Sequence, residues 1–406
     1  MRRGLLFSSA VLALVSACSN DRSAAELMAD AATATVFDSA GVRVIELGPL
    51  PHVLAERHRL ACERDLVIRS REDDDAYVLS DLRDVEVLSR GRVAVVNGSG
   101  NEIVVFDSAG RHVSTWGGAG NGPGEFGRLE WLASRPPDSL AAADIGLRRV
   151  TILDADGQFV RGFATASAVD PASSPVPPRP MGMLEDGSVI AAFFEPPAPV
   201  EGTARPAVEI VAIPPVGDTV HPIGTWPGEE LALFEQDGRL QVTQPPFGRR
   251  LHIASAYDGV WIADDAQWEM RKYSARGDLH AIVRSSATPS PVSDQLLEEL
   301  LSERYRHASQ VPALEDLKRD QRRIARHTTT PSFGVVVAAS DGGVAIGEFR
   351  VNTESSRAWI KVDPSGTVTA ADLPAGLDVK RWGPDWVIGV QRDALDREEI
   401  HRYTCR

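Results

Sequence analysis

Arg90-Gly91-Arg92-Val93-Ala94-Val95-Val96-Asn97-Gly98-Ser99-Gly100-Asn101-Glu102-Ile103-Val104-Val105-Phe106-Asp107-Ser108-Ala109-Gly110 reads as turn, short apolar strand, polar loop, second apolar strand and second turn. The turns carry Gly, Asp and Asn-type residues, which tolerate the positive φ angles of tight hairpins. Val93 to Val96 are apolar without alternation, the pattern of a strand buried on both faces. First turns of this kind recur at Pro136-Pro137-Asp138, Glu185-Asp186-Gly187, Tyr257-Asp258-Gly259, Ser340-Asp341-Gly342 and Pro384-Asp385. Each leads into a similar run: Leu140 to Ala143, Val189 to Ala192, Val260 to Ala263, Val344 to Gly347, and Trp386 to Gly389. Many residues in these runs are small, so neighbouring sheets can approach closely. A repeated supersecondary unit of this length, one that cannot bury its faces alone, implies a stacked or radial architecture.

The second turn recurs at Asp154-Ala155-Asp156-Gly157, Ser274-Ala275-Arg276-Gly277 and Asp363-Pro364-Ser365-Gly366, with a weaker form at Pro215-Val216-Gly217-Asp218. None is visible after the sixth apolar run. One stands instead near the N-terminus, where Val36-Phe37-Asp38-Ser39-Ala40-Gly41 repeats Val105-Phe106-Asp107-Ser108-Ala109-Gly110 residue for residue. An N-terminal strand added to the last sheet would close a ring and remove its exposed edge. The expectation is an all-β, six-bladed β-propeller over residues 34–406, closed by an N-terminal strand.

Two insertions interrupt the repeat. Residues 227–250 read as a Pro/Gly-containing loop. Residues 293–327 read as helical: Ser293 is a capping residue, and Leu296, Leu297, Leu300, Leu301 and Tyr305 recur at helical spacing. A second helix is expected near Pro312, carrying the basic run Lys318 to Arg323 and on to Arg326 and His327. That run either forms a solvated face balanced by Glu298, Glu299, Glu303 and Asp316, or touches anionic lipid or an acidic partner.

The 406 residues are 43% hydrophobic, 25% charged and 6% aromatic, a globular balance that excludes wholesale disorder and a polytopic membrane protein. The 34 glycines and 27 prolines fit a chain that turns often. The net charge of −14 disfavours nucleic-acid binding. Arg2 and Arg3 precede an apolar stretch from Leu5 to Val15 that is too short to cross a bilayer. Val15-Ser16-Ala17-Cys18 then resembles the lipobox of bacterial lipoproteins, which implies a signal peptide over 1–17, lipidation of Cys18 and a tether over 18–33. Cleavage removes two arginines and no acid, so the mature charge becomes −16. Position 19 is Ser and not the Asp that retains such proteins at the inner membrane, which points to the outer membrane, facing the periplasm, in a diderm cell, or to the outer leaflet of the single membrane in a monoderm cell. Of the remaining cysteines, Cys62 and Cys405 either pair in this oxidising compartment or stay as separate buried thiols.

Asn97 to Asp107 resembles the core of an NHL repeat. Gly117-Gly118-Ala119-Gly120-Asn121-Gly122-Pro123-Gly124-Glu125-Phe126 resembles the interblade segment of NHL-like and TolB-like six-bladed propellers. The stretch from Pro331 to Tyr403 is similar to bacterial propeller lipoproteins of this type. The resemblance implies fold rather than chemistry, because such propellers include lactonases, lyases, receptors and scaffolds. The glycine-rich run lacks P-loop or dinucleotide-fingerprint spacing, so it is expected to be an interblade turn and not a phosphate cradle.

Asn97, Asp144, Glu195, Asp264, Asp265 and Glu348 fall at second-strand ends, which a propeller gathers on one face. Asn97, Asp144, Asp264 and Glu348 could therefore form a ring of oxygen ligands for Ca²⁺, or each could hydrogen-bond its own loop. The nine histidines show no HExxH and no pair sharing a helix face, although His307 and His327 flank the second helix. There is no G-x-S-x-G elbow. The leading expectation is a lipid-anchored cell-envelope propeller, not an enzyme and without a cofactor. Its face and helical insertion would bind a protein, peptide or glycan partner. The alternative is a divalent-metal-dependent hydrolase or lyase of the lactonase type.

Overall fold

A computed structural model describes residues 34–49, 51, 56, 58–71, 73–135, 139–165, 177–216, 220–236, 238–306, 314–352 and 355–406. The signal over 1–17, Cys18, the tether over 18–33, the turn at 136–138, Pro312 and His307 lie outside the described residues.

Among the described residues, six mainly antiparallel sheets follow one another along the chain, beside a seventh, smaller one. The first comprises Leu82–Val87, Val93–Asn97, Glu102–Phe106 and His112–Gly117. The second comprises Leu129–Arg135, Ser139–Asp144, Arg149–Leu153 and Phe159–Ala164. The third comprises Arg179–Met183, Val189–Phe194, Ala207–Ile213 and His221–Pro227. The fourth is built on Leu251–Ala256, Gly259–Asp264, Glu269–Tyr273 and Leu279–Arg284. The fifth is built on Val335–Ala338, Val344–Gly347, Arg357–Val362 and Val368–Leu373. The sixth contains Asp378–Trp382, Trp386–Arg392 and Glu398–Cys405. The first strand of each sheet touches the first strand of the next, and that of the sixth touches that of the first. This is a propeller-type fold.

The core is divided into layers between consecutive sheets. Side chains alternate across a strand, and the second strands exploit both directions. Val93 and Val95 pack with Ile388, Val390 and Ile400 of the sixth sheet, whereas Ala94 and Val96 pack with Leu132, Leu140 and Ala142 of the second. Ala141 and Ala143 turn the other way, onto Val189 and Ala191. Ile190 and Ala192 meet Val260 and Ile262, and Trp261 and Ala263 meet Val344 and Ile346. Each apolar run therefore has no solvent face, which explains its lack of period-two alternation.

The second turns of the first, second, fifth and sixth sheets are held by an aspartate at their first position, and that of the fourth by the Ser274 hydroxyl. Asp107 Oδ1 accepts from the amides of Ala109 and Arg111, both at 2.9 Å. Asp154 and Asp363 do the same two and four residues ahead. The sixth sheet has this turn after all: Asp393 Oδ1 accepts from Leu395 and Arg397 at 2.8 and 2.9 Å. Asp396 takes the position filled elsewhere by glycine, at φ 63°. Aspartate tolerates the left-handed region, so the turn survives without its glycine and escapes a D-x-x-G pattern.

The N-terminal segment runs along the outer edges of three sheets, and its placement corrects the sequence expectation. The Val36–Gly41 turn does not join the last sheet. Thr35–Ser39 and Val42–Glu46 form a hairpin whose second strand pairs in parallel with Leu279–Arg284 of the fourth sheet. Arg59–Leu60 then pairs with the fifth sheet, and Cys62–Arg69 pairs antiparallel with Glu398–Cys405 of the sixth. The turn motif is reused because Asp-x-x-Gly chemistry makes a hairpin whatever sheet receives it. Cys62 and Cys405 face each other in this pairing and are joined by a disulfide, with Cα atoms 4.0 Å apart.

Residues 227–250 are not simply a loop. Leu231–Gln236 and Arg239–Thr243 pair with Gly202–Ala204 in a small three-stranded sheet. The helical insertion consists of α1, Asp294–Arg304, and α2, Leu314–Arg323. Ser293 caps α1 by accepting from the Leu296 amide at 3.1 Å. Leu297 and Leu301 are buried against Phe247 and Val351, which fixes α1 over the fourth and fifth sheets.

The disulfide ties residues near opposite ends of the chain, so it removes a very large loop from the unfolded ensemble. Replacing both cysteines by serine should lower the unfolding free energy by about 2–4 kcal/mol, read by urea denaturation; equal midpoints with and without reductant in the wild type would contradict it. His401 is buried, and burial lowers its pKa despite the hydrogen bond to Glu399 at 2.8 Å; Arg64 and Arg69 push the same way. With the folded pKa below the unfolded value, the unfolded chain binds the extra proton. Stability is therefore full above the ordinary value of 6.5 and falls as pH drops below it. His401→Gln should flatten the melting temperature between pH 7 and 5 relative to wild type (about two pH units around the imidazole value).

Candidate functional site

The ends of the second strands share one face, as the repeat requires, but the four candidate ligands do not form one site. Asn97 is buried; its Oδ1 accepts from Ser80 N at 3.0 Å and Ser99 Oγ, while Nδ2 donates to Val78 O and to Glu102 at 2.8 Å. Asp144 is fully buried and accepts from the amides of Gly127, Arg128 and Leu147 at 2.6, 2.9 and 2.8 Å. Asp264 pairs with Arg205 at 2.9 Å and accepts from Ala266 N. Glu348 pairs with Arg350 at 3.3 Å. Asn97, Asp144 and Glu348 are held close to their own strands, Asp264 is held by Arg205 from the third sheet, and among the described residues no three His, Cys, Asp or Glu gather as a metal-holding group. Glu195 is exposed, and Asp265 accepts from Arg250 N at 2.8 Å. The residues do not fit a shared Ca²⁺.

The glycine-rich run packs between the first two sheets. Phe126 is fully buried there, and a Cβ on Gly117, at φ 80°, would lie 2.5 Å from its ring. Glu125 folds back onto Gly122 N at 2.8 Å, and the Arg149 guanidinium takes the carbonyls of Asn121, Gly122 and Glu125. The amides of Gly120, Gly122, Glu125 and Phe126 are all used within the run, as an interblade turn requires.

Among the described residues, one cavity opens along the axis and another beside α1. The axial one, about 600 Å³, is lined by the first strands of all six sheets. Its charges are internally matched: Arg179 with Glu130, Lys380 with Asp378 at 2.8 Å, and Arg381 with Asp84 and Glu86. Arg381 reaches from the sixth sheet to both oxygens of Asp84 at 2.9 and 2.8 Å, to Glu86 at 2.8 Å and to Leu132 O at 2.7 Å. Burial alone would lower its pKa; the two carboxylates more than reverse this and raise it. One guanidinium thereby links the sixth, first and second sheets.

The second cavity, about 380 Å³, lies on the face of second-strand ends, between α1, residues 244–250 and the loops of the fourth and fifth sheets. Its cationic lining is Arg249, Arg250, Arg304, Arg350 and Arg357. Arg249 is 6% exposed; its Nη2 donates to Thr329, whereas its Nη1 is buried without a hydrogen-bond partner. Arg304 donates to Gln244 O and Gln321 Oε1, both at 2.9 Å, and interacts with the side chain of Tyr305. Arg357 makes no side-chain hydrogen bond or ion pair among the described residues. Burial lowers the pKa of all three; Arg250 adds to this at Arg304, and Arg350 at Arg357. Sequence reasoning missed this pocket. Its arginines come from a hairpin end, a helix end and two strand-loop junctions, with no common spacing. Of the two flanking histidines, His327 hydrogen-bonds Glu230 at 2.7 Å.

No protein-family model and no curated protein matches the chain. Among solved structures, a protein described as exported, from Bacteroides fragilis, aligns with 89% of this chain and 99% of its own at 12% identity and a TM-score of 0.48. Virginiamycin B lyase from Staphylococcus aureus aligns over 85% and 99% at 9% identity and a TM-score of 0.40. A gluconolactonase from Xanthomonas campestris aligns over 85% and 99% at 12% identity and a TM-score of 0.40. These are likenesses of fold.

Removing Arg381 would strand Asp84 and Glu86, both buried, without their counter-charge. Arg381→Met should cost roughly 3 kcal/mol, and Arg381→Lys should recover part of it by restoring charge without the bidentate geometry. Chemical denaturation of the three proteins measures this; a wild-type midpoint for the methionine variant would contradict it.

Proposed function

We propose that the chain is a six-bladed propeller, closed by Cys62–Arg69, that is anchored in the bacterial envelope through Cys18 and acts as a ligand-binding platform. The cyclic contacts of the six first strands support the ring, and the lipobox-like Val15 to Cys18 supports the anchor. The observation that carries the binding reading is the state of the strand-end acids. Asn97, Asp144 and Glu348 are engaged close to their own strands and Asp264 by Arg205 of the third sheet, so among the described residues these side chains do not gather as a ligand set for hydrolysis or lysis through a shared divalent cation. The same face carries instead a built pocket beneath α1 and beside the hairpin of residues 231–243. A rigid ring with an elaborated face suits recognition, because its loops are held by a packed scaffold.

In cells, palmitate labelling should depend on Cys18 and disappear in Cys18→Ser. Cross-linking of the full lipidated chain should give a defined adduct that is lost when residues 293–327 are replaced by a short Gly-Ser linker. Calcium titration of the purified chain should give neither heat nor thermal shift. Calcium-dependent lactone hydrolysis that is lost in Asp264→Asn would overturn the reading in favour of the enzyme.

A further inference from the structure

We propose that the pocket beneath α1 binds a small organic anion, an oxyanion group on a ring-sized apolar body, through the guanidinium groups of Arg249, Arg304 and Arg357. The inference rests on the binding-platform reading and gives that platform a ligand class.

The first support is the unfilled donor. Arg249 is more than nine-tenths buried and lines the pocket, yet its Nη1 has no acceptor. Buried polar groups in folded proteins are almost always satisfied, so this donor, facing a cavity, is available to an acceptor from outside the chain. The acids near Arg249 do not fill it. Glu230 accepts from the Arg249 amide at 2.9 Å and from His327, Asp265 accepts from the Arg250 amide, and Asp264 pairs with Arg205.

The second support is charge. Among the described residues, Arg249, Arg304 and Arg357 have no carboxylate partner, although all three line the same cavity. Of the other lining charges, Arg250 pairs with Glu229 at 3.3 Å, Arg350 with Glu348 and Glu303 with Arg306 at 3.3 Å, while Glu230 and Asp265 act on Arg249 and offset only part of the effect of its burial. Burial that disfavours the three unmatched cations would be relieved by an anion. Guanidinium groups present paired donors that suit a carboxylate or phosphate fork.

The third support is the remaining wall. Phe247, Phe333 and Phe349 line the cavity with Leu300 and Pro245, and the rings of Phe247 and Phe349 stand 6.2 Å apart. A volume of about 380 Å³ accommodates one ring and one acidic group, and excludes a folded domain.

Isothermal titration of the full chain with phenyl phosphate, benzoate and neutral benzyl alcohol tests this. At least one anion should bind with a dissociation constant below about 1 mM, and the alcohol should not. Arg357→Met and Arg249→Met should each weaken binding at least about tenfold, a loss of one hydrogen-bonded charge contact. Arg357→Met should also keep the wild-type melting temperature, because it removes no bond within the fold. Phenyl phosphate alone would assign a phosphate, benzoate alone a carboxylate, and both an unselective oxyanion site; each supports the proposal. Binding of neither anion, or equal affinity in both variants, overturns it. If no anion binds while the cross-link of the full chain still depends on residues 293–327, this inference fails and the platform reading stands.

Discussion

The pairing of Cys62–Arg69 with Glu398–Cys405 is the constraint on which the rest depends. Each sheet in this fold hides both faces against its neighbours, so no sheet is stable by its own packing. The sixth sheet has only three strands of its own, and its missing outer strand comes from far upstream. That strand contributes Leu66 and Ile68 to the layer against the first sheet. The disulfide fixes its register at one end, and Arg402 with Asp65 at 2.8 Å holds it further along. On the inner side of the same seam, Arg381 makes a second bridge through Asp84 and Glu86. One tie is covalent and peripheral, and the other is electrostatic and axial.

What the sequence reveals and what it conceals divide along physical lines. The second strands are legible because burial on both faces leaves a run such as Leu140 to Ala143 with no polar position at all. The outer strand of the sixth sheet is concealed because it lies at an edge: Cys62-Glu63-Arg64-Asp65 is polar and largely exposed, and only Leu66 and Ile68 point inward. The first hairpin misleads for the opposite reason. Val36 to Gly41 carries the same turn chemistry as Val105 to Gly110, and turn chemistry is local while the choice of partner strand is not. Asp396 shows a third case, in which a residue other than glycine holds a left-handed turn.

The candidate site was only half legible. The face was readable, since strand ends recur at fixed points of the repeat. The residue roles were not, because a carboxylate such as Asp144 looks the same in sequence whether it holds a metal or three backbone amides. The arginine pocket left no signal, since it is assembled by two insertions and two repeat units whose proximity only the tertiary fold creates. The helical insertion was recognised from its leucine spacing, and its buried leucines are the means by which α1 is held over that pocket.

The path of the N-terminal segment has a further consequence. It covers the outer edges of the fourth, fifth and sixth sheets in succession, so residues synthesised first find their partners among those synthesised last. On an emerging chain, Val42–Glu46 waits for Leu279–Arg284 of the fourth sheet, and Cys62–Arg69 waits for Glu398–Cys405 of the sixth. Such sequence-distant pairing makes folding slow and leaves unpaired edges open meanwhile. The architecture thus imposes a waiting period on its own biogenesis, and the completed molecule is sensitive to loss of even a few residues at its final strand.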